Sequence, residues 1–291
     1  MSTTTRSFIL TLVGATFFMG SSFIASKILL RDFSPFLLVG CRFILAALAT
    51  LPILFFQKTT LQGLKISKNV RNAFIVGLLQ TTGTMGLLFV SMTYISATNS
   101  AVLLFTNPIW VAIVAPYFLG ETVQRVQWLG LLLGILGVGL IIGFTADNEN
   151  SIGYLIGLGS AFCWSSATIF AKLKKIELPP FVLSATQMLF GGIVLVGIGL
   201  ALGEHLPSNL TTTHLAWFLW LAIPASTGSF GLWYLALSKG GAMRASSFLF
   251  LAPFFTAILS FLILHTTLSG VQLVGALSVG LGIYLSNLDR K

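Results

Sequence analysis

Polar and aromatic side chains recur near the middle of long apolar stretches, where no water is present to form hydrogen bonds with them. Gln80 and Thr84 are four residues apart and therefore share one face of a helix. In such a setting amide, hydroxyl and indole groups hold an uncharged or zwitterionic molecule by hydrogen bonds and aromatic contact. The candidate binding residues are Gln80, Thr84, Asn107, Trp110, Trp164, Ser229 and Trp233.

Each candidate has an alternative role in which it only stabilises the helices. A Ser or Thr hydroxyl in an apolar helix often donates to the carbonyl of its own backbone four residues earlier, which applies to Thr84 and Ser229. For the tryptophans the alternative is packing against lipid or core. The amides of Gln80 and Asn107 are less easily satisfied by their own helix, so binding and packing stay equally open for them.

The sequence offers little for catalysis, metal binding or a cofactor. Cys41 and Cys163 have no regular spacing with His, and no HExxH, GxSxG or paired-carboxylate pattern lies in an apolar stretch. The seven acidic residues fall between these stretches or at their ends. A proton-coupled exchanger of organic cations places a carboxylate at mid-membrane, so that function is disfavoured, as is an intramembrane enzyme. We predict no catalytic residue, no metal and no cofactor.

The elements that must position these residues are helices of membrane-spanning length. Of the 291 residues, 56% are hydrophobic and 8% are charged, which is unlike a water-soluble domain. Since a helix needs about 20 apolar residues to cross the hydrocarbon layer, the sequence predicts an all-α polytopic protein embedded in a lipid bilayer. The ten predicted transmembrane helices are 8–30, 35–57, 71–92, 97–118, 124–145, 152–173, 180–202, 214–237, 242–264 and 269–288.

Basic residues are distributed unevenly between the loops. Thirteen of the sixteen Lys and Arg residues fall in one alternating set of loops and termini, whereas the other set holds only Lys27 and Arg31. Because loops rich in Lys and Arg stay in the cytoplasm, both termini are predicted to be cytoplasmic. The formal charge of +9 then reflects topology, and nucleic-acid binding is not expected.

The sequence contains an internal repeat. When it is shifted against itself by about 145 residues, identities recur from the first span to the last without a gap. The matches include Pro35 with Pro180, Thr82 with Thr227, Gly83 with Gly228, Pro108 with Pro253 and Gln127 with Gln272. The halves are residues 1–146 and 147–291, with five spans each. Because five is odd, the second half is predicted to be inverted relative to the first, as in many secondary transporters.

Four segments of the first half carry more specific motifs: FFMGSSFIASK at 17–27, SPFLLVGCRF at 34–43, YISATNSAVLLFTNPIWVAIVAPYFLGE at 94–121 and GLLLGILGVGLIIG at 130–143. With them the chain resembles, over its whole length, the EamA-type branch of the drug/metabolite transporter superfamily. The second half departs from the pattern, since Gln187 replaces Arg42 and His265-Thr266 replace Gly120-Glu121. The resemblance implies export of amino acids or related metabolites.

Prolines and charges inside or beside the spans predict special positions. Pro108 and Pro253 lie at the centres of the fourth and ninth spans, where a missing N–H group produces a hinge or a static kink. Arg42 lies about two turns inside the second span, so its side chain is expected to reach outward or to cap carbonyl groups. Glu121, four residues before Arg125, is predicted to be a structural charge at the start of the fifth span.

These features predict a transporter in the bacterial inner membrane that exports small neutral or zwitterionic metabolites by alternating access, with weak or no ion coupling. The predicted partners are a small-molecule solute and lipid. A monomer is expected, with a dimer as the alternative. The alternative functions are a multidrug or organic-cation exporter of the same superfamily and a structural or sensory membrane protein.

Overall fold

The computed structural model describes residues 3–56, 66–95, 97–142, 151–207, 209–264 and 270–288. In these ranges every regular element is helical. The α-helices are α1 (Thr3–Leu29), α2 (Pro35–Phe56), α3 (Ile66–Gly77), α4 (Thr84–Tyr94), α5 (Ala97–Leu104), α6 (Asn107–Leu119), α7 (Arg125–Ile142), α8 (Ser151–Leu173), α9 (Pro180–Ala201), α10 (Thr212–Ala222), α11 (Ser229–Lys239), α12 (Ala242–Ser247), α13 (Leu251–Leu264) and α14 (Gly270–Ser286). A π-helical segment joins α3 to α4 (Leu78–Gly83) and another joins α10 to α11 (Ile223–Gly228), while a 3-10 turn joins α12 to α13 (Phe248–Phe250).

Most of these helices have the length and composition of membrane spans. Among the described residues, eight helical stretches qualify, and α7 and α14 are apolar but shorter. A backbone that crosses the hydrocarbon layer must satisfy its hydrogen bonds internally, which a helix does. The chain is therefore a multi-pass, all-helical membrane protein, as predicted, and the number of ten crossings stays a prediction.

The two π-helical segments lie at equivalent places in the two halves, where the sequence predicts uninterrupted α-helices. The extra residue in each turn frees backbone carbonyl groups and shifts side chains around the helix. Threonines in the two segments use this geometry to bond a neighbouring helix: the Thr82 hydroxyl donates to the carbonyl oxygen of Gly191 over 3.2 Å. At the equivalent position the Thr227 hydroxyl donates to the carbonyl oxygen of Ala46 over 2.6 Å.

Helix breaks stand directly before Pro108 and Pro253. The break before Pro108 separates α5 from α6, and the 3-10 turn before Pro253 separates α12 from α13. Each proline lies in the first turn of the helix that follows, where its missing N–H group costs no intrahelical hydrogen bond. The interruption of both helices agrees with the sequence, whereas a hinge role for the prolines stays a prediction.

Glycines bring helices of the two halves into close contact. Gly130 of α7 lies against Gly282 of α14, and Gly137 lies against Gly275. These contacts run in opposite directions along the two helices, so α7 and α14 are antiparallel. Helices α2 and α9 are also antiparallel. The earlier contacts along α9 are with Ile44 and Gly40 of α2, and the later contact, made by Gly199, is with Leu37 near the start of α2.

The first helix of each half packs along the third span of the other half. At one end of α1 the Ser7 hydroxyl accepts a hydrogen bond from the Lys239 ammonium group of α11 over 3.1 Å. Beyond the other end of α1, Asp32 contacts His214 of α10 over 3.1 Å. Likewise the Ser91 hydroxyl near the end of α4 donates to the carbonyl of Gly153 near the start of α8. Both pairs of neighbours are therefore antiparallel.

Candidate functional site

A cavity lies between the two halves of the chain. Its accessible volume is about 80 Å³. The C-terminal half of α1 and the length of α4 form much of its wall. Further contributions come from α2, α8, α11, the π-helical segment before α11, and the end of α5 with the break after it. The lining residues are Met19, Ser22, Phe23, Ser26, Leu30, Arg42, Met85, Leu88, Phe89, Met92, Leu104, Phe105, Trp164, Ala225 and Phe230.

Most of the cavity wall is methionine, phenylalanine and leucine. Two lining pairs, Met19 with Trp164 and Met85 with Phe230, occupy equivalent positions in the repeat. The cavity centre is therefore built by the same positions of both halves. Sequence reasoning based on polar residues missed these methionines and phenylalanines, although the repeat register around Trp164 could have identified Met19.

Arg42 lines this cavity, and its position corrects the expectation drawn from the sequence. Its side chain does not reach outward, since the residue is 5% exposed. The guanidinium carbon lies 4.4 Å from the centre of the Phe43 ring, which is a cation–π contact. Among the described residues Nε has no hydrogen-bond partner. The wall of the first cavity therefore contains a buried positive charge.

Trp164 is the candidate binding residue that the structure places in the cavity wall. Its ring makes an edge-on contact with Trp233, with 6.3 Å between the ring centres. Trp233 lies behind it and is fully buried. Within the described part of the chain neither indole N–H group has a hydrogen-bond partner, so both tryptophans keep a free donor near the middle of the molecule.

The hydroxyl groups of Thr84 and Ser229 are engaged by their own helices. Thr84 donates to the carbonyl of Leu79 over 3.0 Å, and Ser229 donates to the carbonyl of Ala225 over 2.6 Å. Neither residue lines the cavity. The alternative of backbone bonding therefore describes both residues in this structure, and each hydroxyl retains only its capacity to accept.

The remaining candidates lie outside the cavity wall. Gln80 is fully buried, and neither atom of its amide group has a partner among the described residues. Asn107 is also buried, and its amide nitrogen donates to the carbonyl of Ala161 over 3.4 Å. Trp110 donates to the Thr106 hydroxyl over 3.2 Å and is only half-buried.

Several of the buried polar groups without partners lie at the repeat equivalents of residues that line the first cavity. Ala225 lines the cavity, and Gln80 is its equivalent in the first half. Arg42 lines the cavity, and Gln187 is its equivalent in the second half. Gln187 accepts a hydrogen bond from Thr81 over 2.6 Å, but its amide nitrogen has no partner in the described ranges. The equivalents of Leu88 and Phe89 are Trp233 and Tyr234, which are buried with unpaired polar atoms.

A second cavity, with an accessible volume of about 220 Å³, lies at the C-terminal ends of α8 and α11. These are the helices equivalent to α1 and α4, which line the first cavity. Its wall includes Lys172, Lys175, Tyr234 and Leu237. The two cavities are therefore formed by corresponding regions of the two halves, with the first the more apolar of the two.

Glu121 connects the two halves outside the cavities. Its carboxylate accepts hydrogen bonds from the backbone N–H groups of Ala242 over 2.8 Å and Met243 over 3.1 Å. It therefore caps the start of α12, where a negative charge is favoured by the helix dipole. The sequence predicts a structural charge beside Arg125 at α7, and the structure places the carboxylate at a helix of the other half instead.

The geometry fits passage of a small molecule through a membrane. Among the described residues no group of three His, Cys, Asp or Glu side chains is placed to hold a metal. A multi-pass helical bundle with a cavity between two related halves is the architecture of a membrane transporter. The model of the EamA-like transporter family matches residues 6–143 and again residues 151–288. The chain belongs to this family, part of the drug/metabolite transporter superfamily, and it is a transporter rather than an enzyme.

Known proteins with similar sequences are also transporters. The chain is 27% identical over 279 residues to the uncharacterized transporter YoaV of Bacillus subtilis (strain 168), covering 94% of each chain. It is 25% identical over 283 residues to a probable amino-acid metabolite efflux pump of Salmonella typhimurium, covering 92% of this chain and 90% of that one. A solved crystal structure matches with a TM-score of 0.83 at 16% identity, covering 97% of this chain and 96% of that chain, which supports the fold.

Proposed function

We propose that this protein exports amino acids or related small neutral or zwitterionic metabolites across the bacterial inner membrane by alternating access. The main observation in support is that four side chains with buried unpaired polar atoms occupy the repeat equivalents of residues that line the first cavity; they are Gln80, Gln187, Trp233 and Tyr234. A buried unpaired amide costs free energy, so its retention calls for a second state in which it is solvated or bonded. Exchange of conformation between two inverted halves supplies that state.

An inverted relation between residues 1–146 and 147–291 is part of the proposal. Support comes from chain direction: α8 runs antiparallel to the span formed by α3 and α4, as Ser91 contacts Gly153 while Thr84 contacts Ser160. Within one half, the first and third spans run the same way, because two loops reverse the chain twice. The first helix of the second half then points opposite to the first helix of the first half.

In the second state the walls of the two cavities exchange their roles. The opened side would be lined by the equivalents of the present wall, which include Gln80, Gln187, Trp233 and Tyr234. Pro108 and Pro253 would act as hinges where the helices are already interrupted. Asn107, at the start of α6 and in contact with α8, would move with the first of these hinges.

The direction of opening follows from the distribution of basic residues. With both termini in the cytoplasm, α1 ends at the periplasmic side, and the first cavity, lined by its C-terminal half, opens there. The second cavity, at the end of α8, then faces the cytoplasm. We propose that the protein works in this way as a monomer, since the alternately opened pathway lies between the halves of one chain.

Support for the solute class comes from the cavity wall and from a relative. The wall is rich in Met and Phe, which suits an apolar side chain. The relative from Salmonella typhimurium carries the name of a probable amino-acid metabolite efflux pump. No carboxylate lines the described cavity, which disfavours organic cations as solutes.

The test is solute flux in proteoliposomes that contain the purified full chain. Efflux and uptake of radiolabelled leucine and phenylalanine are expected above those of protein-free liposomes, both with and without a pH gradient. A strict requirement for the gradient would contradict weak coupling. Absence of flux for amino acids and for quaternary ammonium drugs alike would favour the structural or sensory alternative.

Alternating exposure is tested by labelling with a thiol reagent that does not cross membranes. In a background with Cys41 and Cys163 replaced by Ser, Ala225→Cys and Gln80→Cys place thiols at equivalent positions. Ala225→Cys is expected to react from the periplasmic side and Gln80→Cys from the cytoplasmic side, with opposite changes when solute is added. Reaction of both thiols from one side would refute the inverted exchange.

A further inference from the structure

We propose that Arg42 is the site that recognises solute, and that it binds a carboxylate group carried on a compact apolar body. This inference rests on the proposed function, since it names the chemical class of the exported molecule. Binding at Arg42 requires the carboxylate group of the solute. A positively charged amino group on the solute is tolerated but contributes nothing to recognition.

The first support is the state of the guanidinium group. Arg42 is 95% buried, lines the first cavity and has an Nε donor without a partner among the described residues. In the described ranges the carboxylate groups lie at helix ends. The ion pair among these residues joins Asp32 to His214 and does not involve Arg42. A buried positive charge without a counter-ion is unfavourable, so a bound anion would stabilise it.

The second support is the shape of guanidinium recognition. The planar guanidinium group presents paired N–H donors that match the two oxygens of a carboxylate. The contact with Phe43 places the guanidinium carbon over the ring, and Nε, which has no hydrogen-bond partner among the described residues, stays available to a ligand. Phosphate shares this chemistry, but an apolar wall beside the charge favours an anion that carries a hydrocarbon group.

The third support is the rest of the wall. Met85, Phe89, Trp164 and Phe230 line the same cavity as Arg42, and they supply polarizable and aromatic surface for an aliphatic or aromatic side chain. The Ser22 hydroxyl in this wall donates to the carbonyl of Met19 over 2.7 Å. No lining residue in the described ranges carries a carboxylate that could hold an ammonium group.

The fourth support is the difference between the halves. Gln187 stands at the position equivalent to Arg42 and is bonded to Thr81. At this pair of equivalent positions only the first half carries a positive charge, and Arg42 is the basic residue that lines the first cavity.

The experiment measures binding of three probes with one hydrocarbon body to the purified full chain by isothermal titration calorimetry at neutral pH. The probes are 3-phenylpropanoate, 3-phenylpropanamide and 3-phenylpropylamine. The wild-type protein is expected to bind the carboxylate about tenfold more tightly than the amide, as charge-assisted hydrogen bonds are stronger than neutral ones. The amine is expected to bind more weakly than either.

Matched variants assign this preference to one side chain. Arg42→Gln introduces the residue that the second half has at the equivalent position, and its carboxylate-to-amide ratio is expected to fall to about one. Arg125→Gln removes an exposed positive charge at the start of α7 and should leave the ratio unchanged. Arg42→Lys keeps the positive charge but lacks the paired N–H groups, so it should retain part of the preference for the carboxylate. This variant tests the role of Arg42 if Arg42→Gln does not fold.

Equal binding of carboxylate and amide by the wild-type protein would overturn the proposal, as would no binding of any probe. Retention of the full ratio in Arg42→Gln, or its loss in Arg125→Gln, would do the same. Failure of transport is a separate result: a carboxylate preference that depends on Arg42 without flux in liposomes would refute export and leave the binding site standing. Flux of amino acids without a carboxylate preference would support export and refute the binding site at Arg42.

Discussion

The backbone N–H group of Ala242 donates a hydrogen bond of 2.8 Å to the carboxylate of Glu121. The two residues belong to different halves of the chain, so the contact holds the start of α12 against the loop before α7.

Replacing Glu121 by Ala is expected to destabilise the protein by about 0.5–2 kcal/mol, the usual effect of losing a helix cap. Glu121→Gln should cost less, because an amide oxygen still accepts a hydrogen bond but lacks the charge that the helix dipole favours. Thermal unfolding of the purified variants in detergent measures both effects. Glu177→Ala, which removes an exposed carboxylate, is the control, and an equal loss in this variant would contradict the capping role.

Replacing Gly275 by Ala is expected to push α14 away from α7. A Cβ atom at this position would lie 2.7 Å from the carbonyl oxygen of Gly137 and 2.9 Å from the Cβ of Leu140. Overpacking of this kind costs roughly 1–3 kcal/mol. Gly280→Ala is the matched control in the same helix, because its Cβ would meet nothing within 4 Å. Thermal unfolding should separate the two variants, and equal stability would show that α7 and α14 can part without cost.

Replacing Thr227 by Val removes the hydroxyl that joins the π-helical segment to α2 and leaves the shape nearly unchanged. The buried hydrogen bond to Ala46 measures 2.6 Å, and its loss is expected to cost about 0.5–1.5 kcal/mol. Thr82→Val removes the equivalent bond, which is longer and partly exposed, so its effect should be smaller. Chemical unfolding of both variants tests the order of the two effects, and a larger loss for Thr82→Val would contradict it.

Replacing Pro108 or Pro253 by Ala is expected to slow transport more than it changes stability. Each proline lies in the first turn of a restarted helix, so Ala fits the backbone and permits the helix to extend backwards through the break. A more continuous helix resists the exchange between states. Turnover in proteoliposomes and thermal unfolding should be measured together. Unchanged transport rates in both variants would reduce the breaks to static features.

The start of α10 combines a local contact with a tertiary one. Thr211 and His214 form a capping box at the start of α10, a pattern that depends on residues three apart. The contact of His214 with Asp32 beyond α1 depends instead on how α10 packs. Only the first kind of relationship can be found by inspecting a short segment.

The sequence alone determined the helical membrane architecture, the two related halves and the interruptions at Pro108 and Pro253. These follow from local or periodic properties: apolar length, a repeated register and an imino acid without an N–H group. Which side chains meet was decided by the tertiary structure. The Arg42 side chain faces a cavity because helices of both halves enclose it there. The Glu121 carboxylate accepts hydrogen bonds from the backbone of α12 rather than contacting α7.

The same distinction explains the outcome for the candidate site. Trp164 was placed in the cavity wall, while Thr84 and Ser229 bond their own backbone. Sequence indicates that a polar group lies at mid-membrane, but not whether a carbonyl of its own helix is within reach. That choice depends on displacements of less than a helix turn, such as those produced by the π-helical segments, and only the packed structure fixes them.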